Sequence, residues 1–336
     1  MNVNRCRIWL VILFFCVSAG QAPADTLFWW ASSNIYRQDT AGGPATLIRS
    51  GPHSRSQRGS GLEVVGERLY MFEGSGLVSS MDFDGQNYTP HHDYSRSQFY
   101  TGFATDGTYA YALNTDTMMT DRLDLSNGLV IPLSPFTIGG PGGGIDIDSA
   151  NGKVYWGRET RTFAPTFTVP GFIGRSTLDG ANFESHDRNI RALSVDIPNE
   201  RIYWASGAWD ELWSGDLSLA PGNDFISNAT LLATTDRTKE GTGSASEMVY
   251  HAGSNRLFYS AWNQPYIYTL DLADNSISKF QFTGDMGTYV NGGIAIAVTP
   301  IPEPSTLVLL AIGTVGLLLR CAGGGKGRTH DGPVDP

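Results

Sequence analysis

From residue 26 to residue 298 the chain is written in short apolar and alternating runs, broken by Gly, Asn and Asp. The stretch Gly144–Glu184 shows the pattern best. GIDID alternates and stops at SANG; KVYWG follows, aromatic and β-branched; FIGRSTLDG comes after a long loop, and NFE closes the stretch. Runs of period two bounded by turn residues predict strands.

The pattern recurs along the chain. Six aromatic strands line up: LFWW (27–30), RLYMFE (68–73), YAYALN (109–114), KVYWG (153–157), RIYWA (201–205) and RLFYS (256–260). Five have an upstream partner: GLEVV (61–65), GFATD (102–106), GIDID (144–148), ALSVD (192–196) and EMVYH (247–251). The first aromatic strand has none, and GGIAIAV (292–298) is an upstream strand with nothing after it. Third strands follow as NIYRQD, LVSSMDFDG, MTDRLDLSN, FIGRSTLDG, ELWSGDLS and YIYTLDL, with weaker outer strands such as ATLI, LVIPL and SISKFQF. Repeats of about 40–50 residues point to propellers or solenoids. The expected fold is all-β: a six-bladed propeller over residues 25–299, closed by pairing of its first and last strands. Closure leaves no open sheet edge between the chain ends.

The adjacent aromatics fit this expectation. Neighbouring residues on a strand face opposite ways, so Tyr203 and Trp204 both bury only if their sheet is sandwiched. Blades packed on both sides supply that environment, and each ring hides roughly 150–250 Å² there.

These residues resemble the YWTD repeats of low-density-lipoprotein-receptor-type propellers. Ile147-Asp148, Val154-Tyr155-Trp156, Ile173-Gly174-Arg175 and Leu178-Asp179-Gly180 match that pattern, as do Val195-Asp196 and Ile202-Tyr203-Trp204. Thr-Asp is replaced by Gly157-Arg158 and Ala205-Ser206, and the other four blades keep only the hydrophobic outline. The resemblance implies a six-bladed ring and says nothing about partners; EGF-like modules are lacking in this sequence.

Both ends depart from the pattern. Residues 1–24 have Arg5 and Arg7, an apolar run from Ile8 to Val17, then Ala22-Pro23-Ala24. That is the plan of a secretory signal peptide, with cleavage expected between Ala24 and Asp25. The run is about half the ~20 residues of a spanning helix. After Val298 come Pro300, Pro302-Glu303-Pro304, the apolar run 306–319 and the cations Arg320, Lys326 and Arg328. This order over residues 300–328 resembles the PEP-CTERM sorting tail of Gram-negative bacteria, with Pro302, Glu303 and Pro304 as its motif. The resemblance implies an exosortase-like sorting enzyme as partner, export across the inner membrane, transient anchoring by a single hydrophobic helix, and company with extracellular polysaccharide. Residues 329–336 form a polar extension beyond it.

Composition removes several function classes. The three cysteines, Cys6, Cys16 and Cys321, lie in or beside the terminal apolar runs, so the body holds no disulfide framework and no thiolate metal site. Residues 25–300 carry 18 basic and 30 acidic side chains, a net charge of −12. So acidic a body is a poor nucleic-acid binder.

Little catalytic chemistry converges. His91-His92 are adjacent and face apart on a strand, Asp82-Phe83-Asp84-Gly85 lacks the later ligands of a calcium loop, and GGPGGG at 139–144 is followed by a strand rather than by Lys and a helix. The expectation is therefore a non-enzymatic body with neither cofactor nor metal. Its binding face is expected at the channel mouth, where the loops after second and fourth strands carry Arg55, Arg158, Arg161, Trp209, Arg237 and Trp262. Arginines beside aromatic rings suit a polysaccharide or an envelope protein. The alternative is a lactonase- or lyase-type propeller enzyme with a channel metal, for which Glu63, Asp146, Asp148, Asp196, Glu247 and Asn291 are the places to look.

Overall fold

The computed structural model describes residues 25–31, 34–50, 61–73, 76–94, 100–114, 119–133, 143–163, 167–206, 211–235, 245–261, 266–280 and 293–298. The expected signal peptide, the Pro-Glu-Pro motif and the C-terminal apolar run lie outside them. Among the described residues no helix is long and apolar enough to cross a membrane.

Six four-stranded antiparallel sheets form six blades, as the repeat predicts. Blades 2 to 6 each take four strands in chain order, inner to outer. Their inner strands are Gly61–Val65, Tyr100–Thr105, Ile145–Asp148, Ile190–Asp196 and Ala245–His251. Blade 1 is built from both ends of the body: Ile294–Ala297 is its inner strand, followed by Thr26–Ala31, Asn34–Asp39 and Thr46–Ser50. The closing register sets Thr26 opposite Ala297, Leu27 opposite Ile296, Phe28 opposite Ala295 and Trp29 opposite Ile294. The Trp30 amide adds a bond to the Gly293 carbonyl at 3.2 Å. Neighbouring inner strands contact one another all the way round, blade 6 to blade 1 included.

Among the described residues the buried hydrophobic side chains fall into six clusters, one at each junction between blades. The aromatic pairs explain why. Tyr155 and Trp156 are both fully buried, Tyr155 in the cluster toward blade 5 and Trp156 in the cluster toward blade 3. Trp29 and Trp30 divide in the same way between blades 6 and 2. The hydrophobic gain is therefore spread around the ring rather than held in one centre.

Two features set the ring's tightness. Glycines open several inner strands because the strands approach closely there. A Cβ on Gly144 would stand 2.3 Å from the Leu193 amide nitrogen, and one on Gly293 would stand 2.1 Å from that of Leu62. Third-strand arginines then reach across to the next blade. Arg37 donates to the Phe83 carbonyl at 3.0 Å and Arg122 to that of Leu178 at 3.2 Å. Arg175, fully buried, donates to the Ser218 and Ala220 carbonyls and to Glu184, and lies over the Phe225 ring. Blade 2 has Ser80 at this position, and a histidine extends its reach: His91 joins Ser80 Oγ at 2.9 Å and the Leu125 carbonyl at 3.1 Å. A carbonyl only accepts, so His91 Nδ1 carries the proton.

One expectation needs correcting. The segment between Arg158 and Gly171 reads as a plain loop, but it folds into a hairpin of Arg161–Phe163 and Phe167–Val169. Its threonines and phenylalanines give it strand character that the repeat pattern masks.

Candidate functional site

The two faces of the ring differ in their connections. First-to-second and third-to-fourth strand links are short turns, and the last residues of the inner strands cap the first-to-second ones. Asp148 accepts from the Asn151 amide at 3.0 Å and from its side chain at 2.8 Å, Asp196 accepts from the Asn199 side chain at 2.8 Å, and Thr105 holds the Gly107 amide at 3.0 Å. The recurring Asp at the end of the inner strand is thus a turn former. The opposite face carries the long links, including the 161–169 hairpin.

Of the expected binding residues on that face, Arg55, Trp209, Arg237 and Trp262 lie outside the described residues. Arg161 begins the hairpin, opposite Val169. Arg158 is only 9% exposed; its guanidinium donates twice to the Pro170 carbonyl, at 2.9 and 2.5 Å, and lies 4.5 Å from the Phe172 ring centre. Burial pulls its pKa below the usual arginine value. Its geometry ties down the base of the hairpin. Neighbouring Glu159 pairs with Arg191 at 3.5 Å.

The ring centre is acidic. Glu63, Asp146 and Glu247 stand on the inner strands of alternate blades 2, 4 and 6. Asp146 caps the open edge of the next inner strand, accepting from the Val195 amide at 2.8 Å and its own neighbour Ile147 at 2.7 Å. Burial nonetheless pushes its carboxyl up to about 6, against those hydrogen bonds. Burial pushes Glu247 up to about 8. Glu63 is raised well above the usual range by burial and then by the nearby charges of Asp146 and Glu247. Glu247 makes no hydrogen bond among the described residues. Asn291 lies outside them. Among the described residues no group of three or more His, Cys, Asp or Glu side chains is arranged to hold a metal ion.

A cleft of about 340 Å³ opens between blades 4 and 5 on the long-loop side. Arg188 and Asn189, from the link between those blades, form one lip; Ser206, Glu211 and Trp213, at the ends of two blade 5 strands, form the other; Trp204 is the floor. Trp213 is half-buried and lies parallel to Trp204, with ring centres 6.3 Å apart and planes at 6°. Its Nε1 donates to Glu211 Oε2 at 3.0 Å. Sequence reasoning missed this site. The available signal was Glu211-x-Trp213, where a bulky indole occupies the strand position that holds Gly174 in blade 4 and Ser79 in blade 2.

Comparison with known proteins divides the chain as its composition does. A solved structure described as a crystal structure of a nidogen/laminin complex is similar in fold, with a TM-score of 0.64 at 16% identity, covering 83% of this chain and 100% of that one. At that identity the likeness speaks for the fold alone. Residues 300–320 match the PEP-CTERM protein-sorting motif, so the chain joins a six-bladed propeller to a PEP-CTERM sorting motif.

Proposed function

We propose that the chain is exported, processed at its PEP-CTERM segment by an exosortase-like enzyme, and displayed at the surface of a Gram-negative cell. There the propeller acts as a non-enzymatic binder of extracellular polysaccharide or of an envelope protein. The observation that carries this reading is the sorting motif at residues 300–320 on a chain whose body is a rigid ring with one long-loop face. A ring held at every blade junction by a packed cluster is a stiff platform, and recognition then belongs to its loops. Of the expected loop residues, Arg158 and Arg161 stand on this face at the 161–169 hairpin, and Arg55, Trp209, Arg237 and Trp262 lie outside the described residues.

Two measurements test the reading. The intact mass of the exported protein should start at Asp25 and end near the Pro302-Glu303-Pro304 segment; a mass retaining both termini defeats the export scheme. Binding to acidic polysaccharide should weaken when Arg55, Arg158 and Arg237 are replaced by Ala, and retained binding rules those residues out.

The three raised carboxylates favour a second reading, a lactonase- or lyase-type enzyme acting at the ring centre. Perturbed carboxyls in an enclosed space are common at active sites. A tightly held divalent ion in the purified body, lost in Glu63→Gln, would favour that reading.

A further inference from the structure

We infer that the cleft between blades 4 and 5 is a sugar subsite that takes one or two neutral pyranose rings of a polysaccharide chain. This deepens the polysaccharide-binding reading above and rests on it.

The cleft combines a flat apolar wall with unused hydrogen-bonding groups. Trp213 presents a half-buried indole backed by the parallel, buried Trp204, and the C–H face of a pyranose packs on such a surface. In blade 4 the counterpart of Trp204 is Trp156, fully buried, with Phe183 stacked on it at 5.7 Å and Gly174 at the strand position of Trp213. In blade 5 Trp204 is likewise buried, and the half-buried Trp213 that stacks on it is the indole the cleft reaches.

Among the described residues Glu211, Asn189 and Arg188 are each held by one side-chain bond and have capacity left over. Glu211 takes the Trp213 N–H on Oε2, which fixes the carboxylate beside the indole and leaves Oε1 to accept. Asn189 Oδ1 takes the Thr160 amide at 2.8 Å, which turns the Asn189 amide group and leaves both of its N–H bonds to donate. Ser206 is 7% exposed, and its hydroxyl makes no hydrogen bond among the described residues. Arg188 spends one N–H on the Asp187 carbonyl at 3.1 Å. An acceptor, an amide donor, a hydroxyl and a guanidinium around a ring-sized apolar wall match the outward hydroxyls of a sugar.

Size and charge narrow the ligand. The volume falls at the lower end of the roughly 300–1,000 Å³ of small-ligand sites, which suits one or two rings. Glu211 forms part of the wall, whereas Arg188 is exposed at the rim. A uronate carboxylate would face Glu211, and an anion such as phosphate would meet the same repulsion. A neutral polyol meets neither. The mouth is open beside Ala229, a small exposed residue on the outermost strand of blade 5, so a long polymer can pass through while one ring sits inside.

The test is titration of the mature protein with cellotetraose, mannotetraose and tetragalacturonate, followed by tryptophan fluorescence and calorimetry. At least one neutral tetrasaccharide should bind saturably, perturb the indole emission and outcompete tetragalacturonate. Ala229→Trp, which fills the mouth from an exposed position, and Glu211→Gln should each weaken that binding at least tenfold, with thermal melts unchanged. Unchanged affinity in both variants overturns the subsite. Binding of tetragalacturonate alone, sensitive to the arginine substitutions above, overturns the subsite and leaves the face reading standing. No binding of any of the three overturns the subsite, and loss of binding to whole polysaccharide as well defeats the face reading with it.

Discussion

Blade 1 and the junction of blades 4 and 5 solve the same packing problem in opposite ways. Blade 4 is continuous in sequence, and its Arg175 drives a fully buried guanidinium into the next blade, against Glu184 and the carbonyls of Ser218 and Ala220. Blade 1 borrows its inner strand from the far end of the body. Its junction with blade 6 is clasped by a smaller group: His251, 2% exposed, joins Asp25 Oδ2 at 2.6 Å through Nε2 and Ser254 Oγ at 2.7 Å through Nδ1. Asp25 is also the residue expected to become the mature N-terminus.

The two regions also respond to pH with opposite signs. Burial raises the Glu184 pKa, but the Arg175 hydrogen bond and the Gly222 amide outweigh it and hold the carboxyl below the usual range. A depressed pKa stabilises the fold above the unfolded value and loses that contribution as pH falls through the folded one. Glu63 and Glu247 flank the closing strand on blades 2 and 6, and both are raised. Their contribution is complete below the usual glutamate value and disappears as pH rises toward the folded values, about 8 for Glu247. Acid therefore loosens the blade 4–5 junction, and alkali loosens the surroundings of the closing strand.

The largest expected effect is at Arg175. Arg175→Met leaves Glu184 without its cation in a nearly buried site and should cost about 3–5 kcal/mol in urea unfolding. Adding Glu184→Gln should recover part of this, and strict additivity would break the picture of a coupled clamp.

Asp25→Asn removes the charge from the His251 contact. A hydrogen bond to a charged group contributes on the order of 1.5–3 kcal/mol, and hydrogen exchange should then show Ile294–Ala297 and Thr26–Ala31 opening first. If blade 4 opens earlier, the closing blade is not the weaker of the two.

The pH comparison is sharpened by Glu247→Gln. Melting temperature of the parent should fall between about pH 5 and 8, and the variant should flatten that fall by several degrees, at roughly 2–4 °C per kcal/mol. A parallel pair of curves would place the titration elsewhere.

The smallest effect belongs to Arg122→Met, which loses one 3.2 Å bond to Leu178 and the contact with Tyr109. About 0.5–1.5 kcal/mol is expected. A loss as large as that of Arg175→Met would show that burial of the guanidinium is not what separates the two clamps.

Much of this architecture is legible in the residues. Strand alternation, turn glycines and paired aromatics are local signals, and they marked the blade count, the inner strands and the orphan strand GGIAIAV that closes the ring. The sorting segment was equally legible, because proline spacing, an apolar run and a basic end are linear features. Arg37, Arg122 and Arg175 stand at one register position in their third strands, opposite Phe28, Tyr111 and Tyr155. The register of a single blade does not say that each reaches a carbonyl of the next.

The cleft was illegible for the same reason. Arg188 and Asn189 precede one strand, while Glu211 and Trp213 begin another, and no spacing rule ties them together. By itself the sequence determined period, blade number and destination, since these follow from the order of side chains along one strand after another. Tertiary structure decided which polar groups are used up between blades and which remain open, since that depends on how neighbouring sheets twist and meet in space.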